Sequence, residues 1–297
     1  MSGVGVAIRR YRLGCPVWGH AAWAGSLFTR DAGTEDFLRQ YASVFNAVEG
    51  NTTFYGSPRP ATVDRWAADT PPGFRFSFKL PREITHEQRL VGTEPAIRAF
   101  LDLMAPMVPR LGPFMLQLPP AFGPDALAAL ERCLQDLPSD FDYAVELRHP
   151  AFFAGGPAER QLDEILAARA VDRVIFDTRG LFQSDASDPV VREAQHRKPR
   201  LPVRLTVTGR RPVVRFVAHA EPEANRWLLK GWADQLATWI LDGLEPQVFV
   251  HAPDELHAPW LARELHRLLG HRVDVGELPA WPGELEPPEP EQLALFG

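Results

Sequence analysis

Two glutamates close short apolar runs, Glu49 in FNAVEGN and Glu146 in DYAVELRHP. Paired carboxylates flanking a bond can divide the roles of acid and base, or of nucleophile, as in glycoside hydrolysis. Three cations occupy similar places: Lys79 ends FRFSFK, Arg148 follows Glu146 by two residues, and Arg215 lies in VVRFV. Arginine grips carboxylate or phosphate with a two-pronged fork, and a lysine withdrawn from water can act as a nucleophile or form a Schiff base. The same five residues can instead neutralise one another as buried ion pairs. Lys79 stands out because the chain has only three lysines, Lys79, Lys198 and Lys230, against 29 arginines. Beside Arg148 and Lys79, Glu146 is expected to stay ionised and serve as nucleophile or charge partner, which leaves Glu49 as the better acid.

Further polar residues fall at the ends of the same runs: Asn51, Tyr55, His86, Gln117, His149 and Asp177, with His219, His251 and Asp254 later in the chain. Histidine and carboxylate together suit metals, and His149, His219, His251, Glu146 and Asp177 are the candidates. No HxH or HExxH spacing links them, so no metal is assigned, and the residues identify no cofactor. Cys15, followed by proline, reads as a small packed hydrophobe rather than a nucleophile. Trp18, Trp23, Phe54, Tyr55 and Trp66 form either a stacking wall for a ligand or a loop core.

These residues need a frame that brings run ends together. Eight short, near-continuous apolar stretches serve as strand candidates, at 11–18, 45–51, 74–79, 114–118, 143–148, 173–177, 213–217 and 247–251. Continuity of that kind marks parallel strands covered on both faces. Helical patterns intervene at 35–44, 60–68, 94–111, 125–137, 161–168, 225–241 and 258–269, with Thr93 and Asp125 as expected caps. The alternation predicts a single-domain α/β protein, a (β/α)8 TIM barrel, whose site lies at the C-terminal mouth of the strands. A doubly wound open sheet is the alternative, but no GxGxxG or GxxxxGK[ST] follows any strand. Between 177 and 213 the chain carries an extra segment, with a short helix at about 189–195 and a strand-like VRLTVTG, placed where a lid or a mere decoration can sit.

The composition agrees with that frame. A chain of 297 residues is long for one domain but ordinary for such a barrel, and its apolar and charged fractions are those of a globular protein. Two cysteines, Cys15 and Cys133, exclude a disulfide framework and suit a reducing cytosol. No apolar run approaches a membrane span and the first residues lack a signal-peptide core, so a cytoplasmic protein without membrane partners is expected. Of 38 acids, six follow residue 272, where there is no lysine or arginine; the preceding body holds 32 acids and 32 bases. A neutral body offers no general attraction to nucleic acid.

The chain resembles the YecE-like proteins, a family of TIM barrels of unknown function. The resemblance rests on GCPVW at 14–18, YASVFNAVEGNTTFY at 41–55, PPGFRFSFKLPREITH at 71–86, MLQLPPAF at 115–122, ELRHPAFF at 146–153 and RF at 215–216. It implies a TIM barrel over 1–272 and marks Glu49, Asn51, Phe54, Tyr55, Lys79, Thr85, His86, Gln117, Glu146, Arg148 and His149 as motif positions. The family has no settled activity, so it implies no catalytic role. Two departures come late: Val217-Ala218-His219 replaces the family's Phe-His-Gly turn, and His251-Ala252-Pro253-Asp254 replaces its Asn-Asn. Ligand binding by the late strands is thereby left open.

Residues 273–297 form an acidic, Pro-rich tail expected to be disordered, ending in QLALF. Gln292, Leu293, Leu295 and Phe296 resemble the short peptide that docks on the bacterial sliding clamp, with Ala294 at the tolerant position. Folding back onto the barrel is the competing use of such an apolar end. Two functions stay open. One is an acid/base enzyme of hydrolase type acting on a small anionic or sugar-like substrate. Its catalytic residues would be Glu49, Lys79 and Glu146, and its substrate-binding residues Asn51, Tyr55, His86, Gln117, Arg148, His149, Asp177 and Arg215. The other is a non-catalytic ligand-binding or adaptor barrel in DNA replication or repair.

Overall fold

The computed structural model describes residues 11–287; the QLALF peptide, with Gln292, Leu293, Leu295 and Phe296, lies outside the described residues. The strands are β1 (Arg12–Gly14), β2 (Ala47–Gly50), β3 (Arg75–Phe78), β4 (Phe114–Gln117), β5 (Tyr143–Glu146), β6 (Asp172–Arg173), β7 (Ile175–Asp177), β8 (Val213–Val217) and β9 (Gln247–His251). The sixth expected run is thus divided at Val174 into β6 and β7. All strand pairs are parallel and form three ladders, β7-β8-β9-β1, β2-β3 and β4-β5-β6. Isolated hydrogen bonds link the ladder edges: Glu49 N to Cys15 O at 3.1 Å, Gly112 N to Phe76 O at 2.8 Å, Leu80 N to Met115 O at 3.0 Å, and Val174 N to Val145 O at 2.9 Å. Gly14 allows the first of these approaches, because a Cβ there would lie 1.9 Å from the Ala47 carbonyl oxygen.

Helices separate the strands: α1 (Phe37–Val44), α2 (Thr52–Tyr55), α3 (Pro60–Ala68), α4 (Glu94–Leu103), α5 (Leu127–Asp136), α6 (Pro157–Ala167), α7 (Pro189–Arg197), α8 (Arg226–Leu241) and α9 (Ala258–Gly270). Their buried residues recur at helical spacing, as Ile97, Phe100 and Leu101 do in α4 and Leu261, Ala262, Leu265, Leu268 and Leu269 in α9. The helix expected to reach residue 111 stops at Leu103, and Ala105–Arg110 continues as a 3-10 turn. Pro106 and Pro109 have no N–H for an α-helical ladder. Thr93 precedes α4 without a side-chain cap bond, and Asp125 lies in the 3-10 turn Pro124–Ala126 ahead of α5. No helix among the described residues is long and apolar enough to cross a membrane.

The segment between β7 and β8 carries α7, with Asp188 capping the amides of Val190 and Val191. The strand expected at 203–209 does not form. Thr208 Oγ1 accepts from Arg173 N and donates to Val171 O, so a side chain takes the backbone groups that a ladder would have used. Part of the acidic stretch is packed: Val275 and Trp281 are buried, and the Trp281 ring meets Trp260 edge-on at 5.0 Å.

Candidate active site

The period-two geometry of the strands builds the site. Ala47, Met115, Ala144, Val174, Val213 and Phe249 meet in one buried apolar cluster, so each marks the same face of its strand. Two residues further along, the same face carries Glu49, Gln117, Glu146, Phe176, Arg215 and His251. On β3, Ser77 bonds Gln247 across the interior at 3.1 Å, and Lys79 lies two residues beyond it. An apolar layer therefore supports a polar layer at the C-terminal ends of the strands. All of its charged members are buried, and Glu49 is fully so.

Arg215 organises that layer. Its Nε and one terminal nitrogen donate to Glu49 Oε2 and Oε1, both at 2.8 Å, and its other terminal nitrogen donates to Glu146 Oε2. Arg148 Nε holds Glu146 Oε1 at 2.8 Å. Lys79 Nζ donates to Gln117 Oε1 at 2.9 Å and stands 3.3 Å from Glu49 Oε1. His251 lies between two carboxylates, with Nε2 3.1 Å from Glu49 and Nδ1 3.7 Å from Glu255. The Phe176 ring packs below both guanidiniums, 4.7 Å from that of Arg215 and 5.6 Å from that of Arg148.

Burial alone would raise the carboxyl pKa values, but the surrounding cations reverse that. Arg215, Lys79 and His251 hold Glu49 well below the usual carboxylate range despite its burial. Against the same burial, Arg215, Arg148 and Lys79 bring Glu146 down to about 2. Glu146 is thus the ionised partner expected, but Glu49 is not the better acid, because Arg215 grips it with two donors. Burial and the Arg215 charge bring Lys79 down to about 8, against the pull of Glu49 and Glu146. Lys79 is therefore the group in this layer that can gain or lose a proton near neutral pH. Burial, with the charges of Arg148 and Arg82, brings His86 down to about 4. Three cations, Lys79, Arg148 and Arg215, face two carboxylates here, and the excess positive charge favours an anion.

Of the remaining sequence candidates, Asp177 is not brought to this layer. Val174 and Phe176 share the inward face, so Asp177 points the other way, toward α8. There it accepts from Arg179 at 2.8 and 3.0 Å and from Trp232 Nε1 at 2.8 Å. His149 also lies on the opposite phase, its Nδ1 accepting from Ala151 N at 3.2 Å. Asn51 donates to the Pro16 carbonyl at 2.9 Å and so shapes the β1 loop. Tyr55 is 79% exposed, while its neighbour Phe54 lies 5.8 Å from Lys79 Nζ and 5.0 Å from the His86 ring. Trp18, Trp23 and Trp66 belong to the loop core. Cys15 is fully buried, and burial pushes its thiol pKa up. Among the described residues no group of three or more His, Cys, Asp or Glu is placed to hold a metal ion.

Sequence reasoning did not assign Lys198 or Glu255 to the site. Glu255 adopts φ 61° in the loop after β9, a conformation rare for a residue with a side chain, and its carboxylate accepts from Ala252 N at 3.0 Å. A cavity of about 560 Å³ opens at the other end of the strands, beside Arg75 and Arg211. There Arg211 pairs with Asp142 and Glu245, and Arg75 holds three backbone carbonyls. Those cations are engaged by carboxylates and backbone carbonyls and no shifted amine lies among them, so the C-terminal ends are the better candidate site.

Comparison with known proteins places the chain in a family. The model of the DUF72 family, proteins of unknown function, matches residues 12–284. The UPF0759 protein YecE of Escherichia coli strain K12 is 39% identical over 271 residues, covering 91% of this chain and 97% of the relative. A DUF72 family crystal structure from Enterococcus faecalis superposes with a TM-score of 0.70 at 21% identity, covering 89% of this chain and 97% of that one. One from Thermotoga maritima gives 0.65 at 20% identity, covering 87% and 98%. With nearly its whole length matched in both sequence and fold, the chain belongs to the DUF72 family.

Proposed function

We propose that this protein is an acid/base enzyme, of hydrolase type, acting on a small anionic or sugar-like substrate at the C-terminal ends of its strands. The observation that carries this reading is Lys79: buried, held between Glu49 and Gln117, and brought down to about 8. A group so poised moves protons or attacks carbonyl carbon, whereas a purely structural ion pair gains nothing from an amine near neutrality. Glu49 and Glu146, both ionised, hold charge and accept hydrogen bonds, and Arg215 fixes their spacing. The hydrogen bonds between ladder edges support a closed (β/α)8 barrel as the frame, on which the acidic stretch packs through Val275 and Trp281; its place of work in this reading is the cytoplasm. A thermal-shift screen of metabolites, followed by turnover assays, tests the reading. Lys79→Met should abolish turnover of any hit, and Glu146→Gln should reduce it by about 10²-fold or more, the usual scale for losing one positioned electrostatic contact. Full turnover by Lys79→Met would remove it.

The tail supports a second reading, an adaptor role. Glu284 pairs with Arg263, while Arg30 holds Glu286 and the Pro287 carbonyl, so the start of the tail is fixed to the body. Gln292, Leu293, Leu295 and Phe296 would then engage the bacterial sliding clamp, bringing a neutral body to DNA indirectly. Titrating that clamp with the intact protein and with Leu295→Ala/Phe296→Ala tests it. Binding on the order of micromolar is expected, and none at about 100 µM would exclude it.

A further inference from the structure

Two cations at the C-terminal ends have donors that no described residue takes up. Arg148 bonds Glu146 through Nε, and its two terminal nitrogens make no hydrogen bond with any described residue. Arg215 beside it uses all three nitrogens on carboxylates. Lys198, half-buried at the C-terminus of α7, makes neither a hydrogen bond nor an ion pair through its side chain among the described residues. Its backbone is nevertheless well anchored. The next residue's carbonyl, that of Pro199, accepts from Thr178 Oγ1 at 3.0 Å, and Thr178 directly follows β7. Gln195 ties the same turn to the carbonyls of Leu181 and Ser184. The Thr178 bond sets the turn carrying Lys198 at the end of β7, and Phe176 of the same strand packs 5.6 Å from the Arg148 guanidinium, so Lys198 and Arg148 lie at the same strand ends. Glu255 is the foremost charge acting on the Lys198 ammonium, followed by Arg215, Glu49 and Arg148. Side-chain atoms that are both sealed from water and unpartnered belong, among the described residues, to His20, Gln88 and Trp281. The free donors of Arg148 and Lys198 are therefore open to a dissolved molecule.

We propose that the terminal fork of Arg148 and the ammonium of Lys198 together bind the oxyanion, phosphate or carboxylate, of a small molecule. The fork supplies two parallel donors in a plane, and the ammonium supplies a point charge from the insertion after β7. The insertion between β7 and β8 thereby becomes part of the binding site. The depressed pKa of His86, for which Arg148 is the largest charge contribution after burial, records the same excess positive field. An oxyanion seated there would offset that field. This inference rests on the C-terminal ends being a ligand site, but not on Lys79 performing chemistry.

The test monitors the assigned imidazole C–H signal of His86 by NMR in the full-length protein. Inorganic phosphate is titrated in one arm, and acetate and succinate in the other. The wild type should show a saturable shift and a His86 pKa raised from about 4. Arg148→Ala and Lys198→Gln should each weaken binding at least tenfold, with Arg148→Lys between, and Lys230→Ala, on the exposed side of α8, should bind as wild type. If Arg148→Ala fails to fold, the half-exposed Lys198→Gln decides alone. The arm that saturates at lower concentration identifies the oxyanion. No saturable shift up to about 50 mM in either arm, weaker than any useful affinity, overturns the proposal. So does wild-type binding by Lys198→Gln. In either case, loss of turnover in Lys79→Met would leave the enzyme reading standing.

Discussion

Around Arg173 every charge has a partner; around Arg215 two cations keep donors to offer. Arg173 sends one terminal nitrogen to Glu159 and Asp163 and the other to the Phe152 carbonyl, over the Phe153 ring. Glu159 also accepts from Arg204 and from Gly155 N. That network binds α6 and the preceding turn to β6, and each of its charges is paired. The network at the strand ends is equally buried, yet it holds an amine shifted to about 8 and an open guanidinium fork. Burial and charge are common to both, so neither marks a site. A cation with no partner among the described residues, Lys198, and an amine brought down near neutrality, Lys79, are what separate them.

The largest effect should come from breaking each network at its hub. Arg215→Ala leaves Glu49 and Glu146 buried without their main counter-ion and should cost about 3–5 kcal/mol in urea unfolding. Arg173→Ala should cost somewhat less, because Asp163 is partly exposed and can be hydrated. Only the Arg215 variant should alter oxyanion binding; an equal loss in both would erase the distinction.

Acid titration should come next. Glu146 has a folded pKa of about 2 against an ordinary 4.5, so the unfolded chain takes up its proton first. Stability from this group is complete above 4.5 and drains away as pH falls toward 2, by roughly 3 kcal/mol. Glu49 shifts in the same direction. Lys79 acts at the other end: between about 8 and 10.5 the unfolded chain holds a proton that the folded one has lost. Stability from it therefore rises with pH through that window. Urea midpoints measured from pH 2 to pH 10.5 check both signs, and a flat acid limb would contradict the ionised pair.

The smallest effect concerns the insertion. Asp188→Ala removes the cap of α7 and should cost about 1 kcal/mol. It should also loosen the turn that carries Lys198 and weaken oxyanion binding severalfold. Unchanged binding would mean that Thr178 and Gln195 suffice to place Lys198.

Much of this was legible because strands buried on both faces read as continuous apolar runs. Seven of the eight runs contain a single strand, Glu49, Lys79, Gln117 and Glu146 stand at or near the ends of theirs, and Arg215 stands within its own. What failed was phase and context. Asp177 ends its run as Glu146 does, but Val174 takes the inward place in the divided sixth strand, and one residue of phase turns Asp177 outward. VRLTVTG has the composition of a strand, yet Thr208 occupies its potential partners. Lys198 carried the same signal of scarcity as Lys79. Its place became apparent only once α7 and the Thr178–Pro199 bond had brought it over the strand ends.

The most direct test of the proposed chemistry is the titration of Lys79 itself, monitored through its side-chain ¹³Cε or ¹⁵Nζ signal. A midpoint near 8 is expected in the wild type. A lower one is expected in Glu146→Gln, where a carboxylate that favours the charged amine is gone. A wild-type midpoint at the ordinary 10.5 or above would make Lys79 a permanent charge in a structural ion pair and contradict the proposed chemistry.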